Sequence, residues 1–198
     1  MLGLPSTTHV GRRVPKEAFY KNLKLDGRTR DEFVHVIERI EIAHSIKPST
    51  VNIADGGHVH EILVLSFVLK SSVLPLRALE AIAGANQHKL IFLLEPEGVA
   101  CVVRKGVHKR QLFEGLNLVG RSLDEVWDSV CAHIIFGDAD GSNIDARIDA
   151  MRRRAALEEE ITTLEARARK AKQINRKNEL FTQLTQKKRE LDLLGKGK

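Results

Sequence analysis

The sequence predicts an α+β fold: a small mixed or antiparallel β-sheet covered by helices, followed by a long C-terminal helical hairpin or coiled-coil tail. Three observations carry this. Residues Ile62–Leu69 are apolar at both parities except at Ser66, the pattern of a central strand covered on both faces. In KLIFLLEPEGVACVVRKG two β-rich runs flank Glu95-Pro96-Glu97-Gly98, with Pro and Gly where a tight turn needs them. From Ile144 to Leu194 there is neither Gly nor Pro, and apolar residues recur at spacings of three and four.

The remaining elements follow in chain order. THVGRRVPKEAFY is basic with little apolar content, and Pro15 suits the first position of a short helix through Tyr20. Thr29 and Glu32 have capping-box spacing, and Phe33, Ile37 and Ile40 then form one apolar face; this predicts a helix that stops before Pro48. Gly56-Gly57 marks a turn before the central strand. A short helix follows it, with Pro75 near its start and Gly84 near its end. KRQLFEG adds an edge strand after the hairpin. Ser122 and Glu125 repeat the capping-box spacing, ahead of a helix with Val126, Val130 and Ile134 on one face. The chain thus divides into a globular body at 1–138, a linker at 139–143 and a helical tail at 144–195.

Charge is more informative divided than summed. The net +6 lies wholly in residues 144–198, which hold 15 basic and 9 acidic residues; residues 1–143 hold 17 of each. Residues 1–30 are themselves basic, with seven cations against two acids. Local excesses of this kind attract phosphate backbones, acidic proteins or anionic membranes. The longest apolar run falls far short of the roughly 20 residues a membrane span needs, and the N-terminus lacks the order of a signal peptide. Cys101 and Cys131 sit in apolar contexts and read as buried thiols. A cytoplasmic protein is expected.

No segment carries a catalytic signature. His58 and His60 in GGHVHE are spaced to share one face of a strand, but no third metal ligand is identifiable. GDADGSN places its glycine two residues too early for a calcium loop, and Asp149 stands where a Glu would be. A restriction-type nuclease would need an acid two residues before Lys70; Val68 is there, and Asp55 or Glu61 would substitute only by an unusual arrangement. No phosphate-binding glycine loop, zinc-protease motif or nucleophile elbow is present. The expectation is a binding role with no catalytic residue, cofactor or metal.

The tail carries that role. Its seam runs through Leu157, Ile161, Leu164, Ala168 and Ala171, then resumes at Leu180, Leu184, Leu191 and Leu194, with Lys187 in the missing position. Between the two runs lies KAKQINRKNEL, where Ile174 is the one large apolar residue before Leu180. Either the chain bends there, around Asn175 and Asn178, so that each seam covers the other, or one helix of roughly 75 Å continues through it. The hairpin is favoured because it buries both seams within one chain. Residues 167–189 carry nine cations against the single acid Glu179: Arg167, Arg169, Lys170, Lys172, Arg176, Lys177, Lys187, Lys188 and Arg189. These are the candidate nucleic-acid or partner-binding residues, joined by Arg12, Arg13 and Lys16 of the basic N-terminal zone. A solvated coiled-coil face is the plain alternative, but such a face normally interleaves acids.

GLPSTTHVGRRVPKEAFY, DEFVHVIERIEIAHSIKPSTVNI, GLNLVGRSLDEVWDSV and KAKQINRKNELFTQL, in this order and spacing, resemble a bacterial and archaeal family filed as domain of unknown function 4391. That family is encountered beside helicases and DNA methyltransferases in restriction-like, anti-phage gene clusters. The resemblance implies a non-catalytic accessory subunit that docks on a helicase or methyltransferase while a basic arm touches nucleic acid. It offers no catalytic residues to map. Two alternatives stand beside it: a coiled-coil assembly protein that forms a homo-oligomer through its tail, and a divergent metal-dependent nuclease.

Overall fold

The computed structural model describes residues 3–112 and 115–195. The chain forms two compact units that divide at Ile144/Asp145. The first is built on six strands: β1 (His9–Val14), β2 (Ile37–Ile46), β3 (Ile62–Leu69), β4 (Lys89–Glu95), β5 (Val99–Val103) and β6 (Val107–Gln111). They lie side by side in chain order. Every neighbouring pair is antiparallel except β3 and β4. Parallel neighbours need a crossover, and α4 (Leu76–Ala85) supplies it.

β3 alternates its side chains between two cores, as its unbroken apolar run requires. Leu65 and Phe67 join Phe92 and Leu94 of β4 and Cys101 of β5 on the face covered by Ala78, Leu79 and Ile82 of α4. Ile62 and Val64 point the other way and are also buried. α5 (Leu123–Phe136) packs near β5 and β6. It starts at Ser122, whose hydroxyl accepts from the Glu125 amide at 3.4 Å. It ends at Gly137, whose φ of +86° closes the helix with bonds to Ala132 and His133.

The helix predicted from Thr29 to Pro48 does not exist as such. The capping residue is Asp26, which accepts from the Thr29 amide at 2.7 Å, and α2 (Gly27–Asp31) is short. A π-turn at Glu32–Val36 ends it and the chain enters β2. The reason is visible in the register. Ile37 pairs with Leu69 but Arg39 with Val68, so one extra residue bulges out at Glu38. The bulge places Ile37 and Ile40 on the same face of the sheet, both fully buried, and their i, i+3 spacing imitates a helical stripe. β-branched side chains and a partner on each side decide for the strand.

Residues 9–14, read from sequence only as a basic segment, form β1 at the sheet edge, and α1 (Lys16–Asn22) follows Pro15. The expected edge strand at KRQLFEG is β6, which begins earlier, at Val107; Phe113 and Glu114 lie outside the described residues. The expected exposed strand at GGHVHE is instead an irregular loop preceded by α3 (Pro48–Val51).

The second unit is a helical hairpin: α6 (Ile144–Lys170) and α7 (Ile174–Gly195). Leu157, Ile161 and Ala168 of α6 and Leu180 and Leu184 of α7 form its buried seam. Lys187 and Lys188 bridge the helices to Glu160 and Glu165, each at 2.9 Å. The bend falls at residues 171–173; Asn175 and Asn178, proposed for the turn, are helical in α7. No helix among the described residues is long and apolar enough to cross a membrane.

Candidate nucleic-acid interface

The bend of the hairpin gathers charge. Arg167, Arg169 and Lys170 occupy the last turn of α6, Lys172 lies in the connection, and Arg176 and Lys177 fall in the first turn of α7. All six are exposed, and residues 166–178 contain no acid. The loss of the apolar stripe in KAKQINRKNEL is thus the consequence of a chain reversal: these positions leave the seam, so nothing requires them to be apolar.

The two sides of the bend differ energetically. Cations in the last turn of α6 meet the negative end of its backbone dipole and stabilise it, by about 0.3–1 kcal/mol each at low salt. Cations in the first turn of α7 meet the positive end and cost a comparable amount. An acid is the stabilising choice there, yet that turn has none. Arg176 recovers part of the loss by pairing with Glu179 at 2.8 Å. Arg167, Lys170, Lys172 and Lys177 form no ion pair among the described residues. Local rules broken without a packing reason are expected at functional or strained sites, which makes this turn the candidate surface.

The other predicted cations have different surroundings. Lys187 stands about 20 Å along α7 from Ile174, at the seam, with Glu160 and Glu190 holding its ammonium. Its pKa is raised, first by the hydrogen bond to Glu160 and then by that to Glu190. Lys188 depresses the carboxyl of Glu165 by hydrogen bond and by charge. Both lysines therefore stitch the hairpin together, while Arg189 stays exposed. Arg12 and Arg13 are exposed on the edge strand β1 of the first unit. Lys16 is not a free cation: its ammonium donates to the carbonyls of Phe33 at 3.2 Å and Ile37 at 2.8 Å. Burial, then the charge of Lys70, lowers its pKa.

The chemical motifs disperse. His60 pairs with Asp55 at 3.0 Å, and the His58 amide is held by the carboxylate of Asp124. Because the segment is a loop, period-two alternation does not aim both rings to one side. No group of three or more His, Cys, Asp or Glu poised for a metal occurs among the described residues. Lys70 donates to the Val34 carbonyl at 2.6 Å, just past the end of β3; Glu61 precedes its start, about 30 Å away along the strand, and Asp55 lies in the loop before it. In GDADGSN the Asp138 and Asp140 carboxylates accept from amides of their own loop.

Sequence reasoning missed Asp124. In the first turn of α5 it accepts from the amides of Gly57 at 2.7 Å and Val59 at 2.8 Å, and of His58 at longer range. It thereby fixes a loop some 65 residues earlier in the chain.

Compared with known proteins, the chain matches the model of a family described as "Domain of unknown function (DUF4391)" over residues 2–112 and 100–191. No curated protein and no solved structure matches it.

Proposed function

We propose that this chain, which belongs to the DUF4391 family, is a non-catalytic accessory subunit of a cytoplasmic DNA-handling system of the restriction-like, anti-phage kind, whose basic hairpin tip contacts the phosphate backbone without sequence preference. The observation that carries the reading is the tip itself: six exposed cations around one chain reversal, with no acid among residues 166–178. Arg suits this task because its fork bonds phosphate oxygens bidentately. The body, through its α+β unit, docks on the helicase or DNA methyltransferase that does the chemistry. This partner class is what the family resemblance implies.

Binding to duplex DNA is expected to be weak and steeply salt-dependent. With about five phosphates engaged, log K against log salt has a slope of roughly −4 to −5. Reversing the charge at Arg167, Arg169, Lys170, Lys172, Arg176 and Lys177 abolishes binding in a fluorescence-anisotropy titration. Undiminished binding by that variant rejects the tip as the contact.

A further inference from the structure

Resting on the reading above, we propose that the apex of the hairpin enters the minor groove of duplex DNA, with Ile174 wedged between base steps so that the duplex bends. Ile174 is the first residue of α7 and is 70% exposed. A lone exposed aliphatic side chain is ordinary on a protein surface. This one stands at a chain reversal, between the primary amides of Gln173 and Asn175, with Lys172, Arg176 and Lys177 around it. That is the composition of a minor-groove wedge. Cations hold the backbone, amides meet the acceptors of A·T pairs, and an apolar group props open one base step.

Size points the same way. One α-helix with its side chains is about 10–12 Å across and fills a major groove of about 12 Å. Two packed helices are wider than either groove, so the faces of α6 and α7 stay outside. Only the connecting segment and the helix ends that flank it are slender enough to reach base edges, and Ile174, at the start of α7, is the large apolar side chain exposed there. An anionic membrane is the competing surface. A single aliphatic residue anchors poorly there, because interfacial helices bury a whole apolar face.

The test uses the full-length protein and a 30-base-pair, A·T-rich duplex with a central TA step, end-labelled for energy transfer. Wild type should shorten the end-to-end distance, and Ile174→Leu should keep this effect. Ile174→Ser should lose the bend and about tenfold in affinity, with the salt slope unchanged. Circular dichroism controls for folding, and an exposed position tolerates the change. The charge-reversed variant should lose binding itself, so the backbone contact and the wedge fail separately. Wild-type binding without bending, or Ile174→Ser bending like wild type, overturns the wedge alone. Absence of duplex binding, or Ile174-dependent capture by anionic vesicles in its place, overturns both.

Discussion

At the scale of single residues, burial decides reactivity. Cys101 is fully buried in the core beneath α4, and its thiol is pushed up to about 11, chiefly by burial and against the pull of Lys109. The thiolate is the reacting species, so it is nearly absent at neutral pH. Native protein at pH 8 should therefore resist iodoacetamide at Cys101 and label there only once unfolded, as peptide mass spectrometry will report. The apolar context VACVV already points to this state. The sequence is silent on Lys16, because the carbonyls that capture its ammonium come from the turn before β2 and from its first residue, 17 and 21 residues away. A lysine in a basic segment looks free until its acceptors are located.

At the scale of elements, the tail and β2 make opposite cases. The hairpin seam is local: spacing of three and four names the residues that meet, and the structure buries Leu157, Ile161, Ala168, Leu180 and Leu184. Leu180→Ala should destabilise the hairpin by about 2–3 kcal/mol, through lost burial and an unfilled gap. Hydrogen exchange will then accelerate in α6 and α7, while β2, β3 and β4 keep their protection. Lys187 shows how a charged residue serves a seam: it fills the missing apolar position, and its ammonium pairs with Glu160 and Glu190. β2 misleads because a bulge restores the phase that an i, i+3 repeat would otherwise break. Periodicity alone does not distinguish a bulged strand from a helix. Hydrogen bonding to β1 and β3 does.

At the scale of the whole molecule, stability depends on pH through carboxylates held below their ordinary range. For Asp124, burial acts to raise the pKa and is the largest single influence, but the amides of Gly57, Val59 and His58 and the charge of His58 together outweigh it. Asp26 is lowered by the backbone and hydroxyl of Thr29, and Glu165 by Lys188. A folded-state pKa below the unfolded one stabilises the protein above the ordinary value, 3.8 for an Asp, and this is lost as pH falls through the lowered value. Thermal unfolding should therefore show a plateau above about pH 5 and a steep decline below pH 4. Asp124→Asn should cost about 1–2 kcal/mol at pH 7, allowing for its partial exposure, and the gap from wild type should close toward acid pH.

Some of this protein is determined within short stretches of chain, and the sequence alone establishes it. The two-sided strand at Ile62–Leu69, the hairpin turn at Glu95–Gly98, the tail seam and the cationic excess at the bend each depend on residues within one or two turns of one another. Other features exist only once distant segments meet. The identity of β2 waits on its neighbours in the sheet, the capture of Lys16 on the carbonyls past α2, and the role of Asp124 on a loop 65 residues upstream. The tip lies between these cases. Its charge is written in sequence, but its concentration at one exposed reversal beside Ile174 follows from where the helices break. The physical reason is range: spacing and charge count act along the chain, whereas hydrogen-bond satisfaction and sheet pairing are settled through space.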